Sequence, residues 1–211
     1  IAYLSENNIV VTQRIVDLQS AMSIFHSALT TEDYEVPEGH YEEEQMKQTV
    51  VPNRNAIFAS ILYGYALSIA TKQDESVKIG LGVHSGDHEI YPDCRPEFYE
   101  ALEHAFQVGN WDSEKVSFYL PYLEGDKETI LIDAEKSLEK LSLDFDTIFA
   151  NTNTSYNPDK EGRSSGKSGA DIERILAFNA IGRKDPVPYV DDWSKILEHA
   201  IQVEKEHKEK I

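Results

Sequence analysis

The sequence predicts an α/β fold in which helices cover the faces of a parallel sheet. Three observations carry this expectation. Short β-branched apolar runs recur at residues 8–18 (NIVVTQRIVDL), 77–83 (VKIGLGV) and 116–120 (VSFYL), a composition suited to buried strands. Stretches with helical character begin at Arg54, Pro96 and Lys127. Strand, helix, strand, helix in that order is the pattern of a parallel sheet.

Taken in order, residues 1–5 (IAYLS) read like the tail of a helix. The chain opens on Ile1 rather than Met, so residues upstream of it are expected. Residues 8–18 are the first expected strand. The next stretch holds Pro37, Gly39 and many acids, and reads as an irregular excursion. From Arg54 to Thr71 the residues Ile57, Phe58, Ile61, Leu62, Tyr65 and Ile69 recur at spacings of one, three and four, which predicts an amphipathic helix with that stripe against a core. A strand at 77–83 follows, then a helix over 96–107 with Pro96 near its first turn, then the strand at 116–120. Asp126 can cap the helix that begins KETI, with Glu128 near its positive end. Residues 191–210 place Trp193, Ile196, Leu197, Ile201 and Val203 on one broad stripe before a run of charges. That is a packing helix with a solvated end.

Composition narrows the function. A chain of 211 residues, 40% of them hydrophobic, holds one core of ordinary size, or a domain with a small extension. The formal charge of −18, from 38 acidic against 20 basic residues, repels phosphate backbones over a screening length of about 8 Å. A nucleic-acid partner is therefore not expected. Arg163, Lys167, Arg174, Arg183 and Lys184 gather in one part of the sequence and offer a local basic pocket for a small anion. The single cysteine, Cys94, excludes an intrachain disulfide framework and an all-cysteine metal cluster. No run approaches the roughly 18 consecutive apolar residues of a membrane span, and no signal peptide is visible. A cytosolic protein is the economical reading.

In an α/β sheet, ligands collect beyond the carboxyl ends of the strands, which points to residues 84–98 (HSGDHEIYPDCRPEF). His84, Asp87 and His88 are either metal ligands or solvated loop polars. Cys94 is either a nucleophile activated by a neighbouring arginine or a small semi-buried side chain. In residues 46–58 (MKQTVVPNRNAIF), Arg54 and Asn55 stand at a helix start, where backbone N–H groups and a guanidinium suit a phosphate or carboxylate. The alternative for Arg54 is a surface salt bridge. Residues 161–171 (EGRSSGKSGAD) look like a phosphate loop, but only three residues separate Gly162 from Gly166, where the Walker pattern needs four.

These stretches together resemble the 7-cyano-7-deazaguanine synthase family, ATP-dependent enzymes that make a nitrile precursor of queuosine. The resemblance is carried by ALTTEDYEVPEGHYEEEQMKQTVVPNRN (28–55), GVHSGDHEIYPDCRPEF (82–98), PYLEGDKETI (121–130) and DPVPY (185–189). YPDCRPEF and VPNRN are the most specific, and the four blocks follow family order. The resemblance implies an adenine nucleotide alpha hydrolase-like, PP-loop ATPase fold, here N-terminally incomplete. Residues 1–150 would form that domain and 151–211 a C-terminal extension.

Two departures accompany it. Family members open with a strand and the motif SGGxDS, which holds the pyrophosphate end of ATP. No such motif occurs in these 211 residues, so the resemblance places it upstream of Ile1 or makes it lost. Family members also carry four zinc-binding cysteines, and the matching positions here are Ser155, Ser165, Ser168 and Asp171. The apparent phosphate loop is then a zinc knuckle without its cysteines, and no structural zinc is expected.

The resemblance further implies conversion of 7-carboxy-7-deazaguanine and ammonia to 7-cyano-7-deazaguanine, with ATP and Mg2+. Lys127 and Arg54 would be the catalytic cations facing phosphate, with Asn55 beside them in the ATP site. Asp87, Tyr91, Asp93 and Arg95 would bind the deazaguanine. A repurposed relative, which binds a deazapurine or nucleotide or acts on another carboxylate, stays open as the alternative, and so does a homodimer.

Overall fold

Val77–Gly80 and Val116–Tyr119 pair in parallel, with Val77 opposite Val116 and Gly80 opposite Tyr119. The computed structural model describes residues 1–31 and 35–210; residues 32–34, part of the excursion and of the first family-like block, lie outside the described residues. Along the chain the elements are α1 (Ala2–Glu6), α2 (Gln19–Met22), α3 (Arg54–Gln73), β1 (Val77–Gly80), α4 (Pro96–Gly109), β2 (Val116–Tyr119), α5 (Lys127–Leu141), α6 (Phe145–Ala150), α7 (Gly169–Ala180) and α8 (Trp193–Lys210). The expected parallel pair is present, joined through α4 as a parallel connection requires. A mixed helix and strand fold with a small parallel sheet results.

Residues 8–18 differ from expectation. They join no ladder, and Val10 and Ile15 are 95% and 86% exposed. A β-branched run satisfies the local preference of a strand, but a strand exists only where a neighbour supplies N–H and C=O groups. Among the described residues no strand pairs with this segment, and the sheet has only two strands.

The buried face of α3 also differs. Phe58, Ile61, Leu62 and Tyr65 are exposed, while Ala59, Tyr63, Ala66 and Ala70 are buried. Tyr63, Ala66 and Ala70 pack with Ile79 of β1 and Val116 of β2, and Tyr63 stacks at 4.4 Å on Phe106 of α4. The second set also recurs at helical spacing, so periodicity offered two faces. Residue size favoured the wrong one: helix and sheet approach closely through small side chains, and a row of alanines permits that approach.

α7 was not foreseen as a helix, although it is the most deeply buried one, with eight of its twelve residues buried. Its start carried a legible signal. Ser168 and Asp171 form a capping box, each side chain answering the other's backbone N–H. Ala177 and Phe178 of α7 share a core with Leu131 of α5 and Phe145 of α6. Ile172 and Ile175 pack on Ile196 and Ala200 of α8. The α8 stripe is narrower than expected, since Ile201 is 48% exposed. Among the described residues no helix is long and apolar enough to cross a membrane.

Two substitutions test which face of α3 is the packed one. Ala70→Leu forces extra volume against β1 and should cost about 1–3 kcal/mol. Leu62→Ala should stay within about 0.5 kcal/mol of the parent. Urea denaturation reads both, and the opposite ranking would make the Ile61 and Leu62 stripe the core face.

Candidate functional site

The loops that leave the two strands are tied together at their carboxyl ends. Leu81 N–H donates to the Tyr119 carbonyl at 3.1 Å, and Ser85 donates to the Gly125 carbonyl from its N–H at 2.7 Å and its Oγ at 2.6 Å. This brings the loop after β1, the start of α5 and the neighbouring α7 to one place. Asp126 caps α5 by accepting from Thr129 N–H at 2.8 Å, as expected, and that hydrogen bond holds its carboxyl below the usual range.

Lys127, the first residue of α5, stands at the centre. Its ammonium pairs with Glu173 of α7 and lies 5.4 Å from the centroid of the Tyr41 ring, a cation–π distance. The Tyr41 hydroxyl donates to Asp87 Oδ1 at 2.8 Å. Asp87 Oδ2 is 3.5 Å from His84 Nε2, and His84 Nδ1 is 3.8 Å from Glu173 Oε1. Gly86 leaves the room for this closure, because a Cβ there would meet Glu173 Oε1 at 2.4 Å.

Burial and then the Lys127 charge lower the pKa of His84, so it stands neutral. Burial, followed by the Asp87 charge, raises the Tyr41 phenol, which keeps its proton as a donor. Lys127 therefore carries the positive charge of this cluster, and it borders two cavities. One of about 610 Å3 is also lined by His40, Tyr41, Glu173, Glu204 and Lys208. The other, about 320 Å3, is lined by His84, Asp87, Phe149, Arg174 and Phe178.

A second group gathers at the start of α3. Asn55 N–H donates to Asp93 Oδ2 at 3.4 Å, and Asn55 Nδ2 donates to the Asp93 carbonyl at 3.3 Å and to Cys94 Sγ at 3.4 Å. Asp93 thus faces the positive end of α3. The Arg54 guanidinium lies 5.6 Å from the Tyr91 ring centroid. Ion pairs occupy Arg163, Arg174 and Arg183, whereas Arg54 and Arg95 have none among the described residues. The surface salt bridge considered for Arg54 is not found among the described residues.

The two groups meet through a shared core in which Tyr41 packs with Tyr91, Cys94 and Ala170. Tyr91 is fully buried and bonds Thr49 Oγ1 through its hydroxyl. Arg95 is exposed, and its Nε donates to the His88 carbonyl at 2.7 Å; no hydrogen bond or ion pair joins it to Lys127 or Asp87 among the described residues. Cys94 is buried, and burial first, then Asp87 and Asp93, pushes its thiol up to about 12. Burial and a raised thiol pKa favour the small buried side chain over a nucleophilic thiolate.

Of the residues expected to form a basic pocket, Arg163, Lys167, Arg174 and Arg183 each pair with a carboxylate, and Lys184 alone has no ion pair among the described residues. Sequence reasoning missed four residues around the site: Tyr41, Glu173 and the pair His40 and His207. Glu173 lies inside the unforeseen α7. His40 and His207 stack at 3.6 Å, 8° from parallel, although they come from distant parts of the chain. His40 Nε2 meets Glu204 at 2.9 Å and His207 Nε2 meets Glu42 at 3.1 Å. The ligand atoms of His40, Glu42 and His207 lie within 4.8 Å of one another, but imidazoles stacked in parallel planes do not aim their lone pairs at a common point. The cluster fastens α8 to the Tyr41 loop. His84, Asp87 and His88, considered as metal ligands, form no such group among the described residues.

The family model for queuosine biosynthesis protein QueC matches residues 2–182. The chain is similar to 7-cyano-7-deazaguanine synthase of Marinomonas sp. (strain MWYL1), 41% identical over 85% of this chain and 74% of that protein. It is 42% identical to 7-cyano-7-deazaguanine synthase 2 of Colwellia psychrerythraea, over 87% of this chain and 76% of that protein. The corresponding protein of Psychromonas ingrahamii is 41% identical over 86% and 75%. No solved structure matches the chain. With most of its length matched by the family model and by relatives at about two-fifths identity, the chain belongs to the queuosine biosynthesis protein QueC family.

Proposed function

We propose that the protein takes part in the ATP-dependent conversion of 7-carboxy-7-deazaguanine and ammonia to 7-cyano-7-deazaguanine, on an adenine nucleotide alpha hydrolase-like fold. The names of its relatives support the product. The observation that carries the reading for this chain is the meeting of Lys127, Tyr41 and Asp87 beyond the carboxyl ends of β1 and β2, beside a cavity large enough for a small ligand. The reading assigns residues 1–150 to the nucleotide-binding domain and 151–211 to an extension, in a cytosolic setting.

A carboxylate is a poor electrophile, which is why ATP enters twice. Its oxygen attacks the α-phosphorus and pyrophosphate leaves; ammonia then adds to the acyl carbon, loses a proton and expels AMP to give the amide. The amide oxygen attacks a second α-phosphorus, pyrophosphate leaves, and loss of AMP with the two N–H protons gives the nitrile. Such chemistry rests on positioning and on charge held against the phosphates. In this reading Lys127 and Arg54 face phosphate, with Asn55 beside Arg54 at the N-terminus of α3. Asp87 and Asp93 accept ring N–H groups of the deazaguanine, Tyr91 lies beneath it, and Arg95 takes its carboxylate. Magnesium bound through ATP oxygens would add positive charge. The positions matched to zinc ligands offer hydroxyls and one carboxylate, so the reading includes no structural zinc.

Two binding measurements test these roles. Calorimetry with 7-carboxy-7-deazaguanine should show Asp93→Ala and Arg95→Ala each weakening affinity about 10- to 150-fold, the loss of one charge-assisted hydrogen bond of about 1.5–3 kcal/mol. Unchanged affinity in both variants would reject the substrate assignment.

For the nucleotide, Lys127→Met is combined with Glu173→Gln so that no half-buried carboxylate is left unpaired. The double variant should lose magnesium–ATP affinity by at least about tenfold, one charge-assisted contact at the low end of that range. Equal ATP binding by parent and double variant would remove Lys127 from the phosphate site. Mass spectrometry after incubation with the carboxylate, ATP, magnesium and ammonia follows the amide and nitrile. Tight binding without either product would favour a relative that holds a deazapurine without making nitrile.

A further inference from the structure

The four positions that resemble zinc ligands come together around one oxygen atom. Asp171 Oδ2 accepts from Ser165 Oγ at 2.8 Å, Ser155 Oγ at 3.0 Å, Gly166 N–H at 3.1 Å and Ser168 N–H at 3.4 Å. Ser168 Oγ returns the contact by accepting from Asp171 N–H at 3.3 Å. Asp171 is fully buried and Ser168 is 2% exposed.

These residues do not fit zinc. A structural zinc takes four negatively charged or imidazole ligands that all point lone pairs inward, at about 2.0–2.3 Å. Here one group is anionic, and the hydroxyls of Ser155 and Ser165 turn their protons inward toward it. The polarity of the corner is reversed, with donors surrounding an anion where thiolates would surround a cation. As the third residue of α7, Asp171 also lies at the positive end of that helix.

We propose that the Asp171 carboxylate replaces the zinc as the cross-link of this corner. It joins the same three segments that a metal would hold: the residue 155 turn, the 164–168 loop and the first turn of α7. The loop and the start of α7 also pack closely on their surroundings. A Cβ on Gly166, which has φ of +77°, would meet Ile196 of α8 at 2.9 Å, and one on Gly169 would meet the Tyr41 backbone at 2.9 Å. Through α7 the cross-link also sets where Glu173 meets Lys127. The proposal concerns the scaffold, and it stands whichever substrate the site takes.

Metal content and thermal unfolding, with and without EDTA, test it on five proteins. The parent should hold no stoichiometric zinc and show the same Tm in EDTA. Ser165→Ala should lower Tm by about 3–10 °C, the loss of one charge-assisted hydrogen bond in a chain of this size, and should add nothing in an Asp171→Ala background. The variant S155C/S165C/S168C/D171C should bind one zinc per chain and lose several degrees of Tm in EDTA, because the thiolates restore the original polarity. One tightly held zinc in the parent, lost in Asp171→Ala, would overturn the proposal, as would an unchanged Tm in Ser165→Ala. If Asp171→Ala does not fold, the Ser165→Ala shift and the zinc content of parent and four-cysteine variant decide the matter.

Discussion

Four hydrogen bonds converge on Oδ2 of Asp171, and the position of α7 follows from them. α7 is the element that the remaining parts share. One face packs on α5 and α6 through Ala177 and Phe178, another on α8 through Ile172 and Ile175. Arg174 reaches the fully buried Asp185 in two hydrogen bonds of 2.6 and 2.9 Å, which secures the chain between α7 and α8. The bonded oxygens of these buried carboxylates tolerate little displacement, since each lost partner leaves a desolvated acceptor. The same constraint locates Glu173, one residue before Arg174, against Lys127.

The charges around Lys127 are arranged so that few of them are free. Glu173 neutralises the ammonium, Tyr41 shields it with a ring face, and His84 is kept uncharged by burial and by Lys127 itself. In a chain of net charge −18, an anionic ligand meets a repulsive surface and depends on a few local cations. Arg54, stacked near Tyr91 without a carboxylate partner among the described residues, is the second such cation. The acidic run near Glu42 is meanwhile drawn toward α8 by His207 and Lys210, so part of the negative field at the cavity mouth is internally compensated.

How much was legible varied with the range of the interaction involved. Asp126 capping α5, Pro96 opening α4 and the apolar strands at Val77 and Val116 depend on neighbours within a few residues, and all appear where the sequence puts them. α7 was hidden because its capping box sits in a stretch rich in glycine and serine, which reads as loop. The stripe of α3 was misassigned because two faces of that helix carry helical spacing. Residues 8–18 have the composition of a strand and lack a partner among the described residues.

The sequence by itself determined the family, through YPDCRPEF and VPNRN, and with it the identity of the residues from which a site is built. It also determined that one cysteine cannot supply a thiolate cluster. Tertiary structure decided which of those residues meet. It paired Lys127 with Glu173, turned Cys94 from a candidate nucleophile into a protonated core side chain, and gathered three serines around Asp171. The reason is that periodicity and capping act over a few residues, whereas burial, charge pairing and the polarity of a hydrogen-bonded corner depend on segments far apart in the chain.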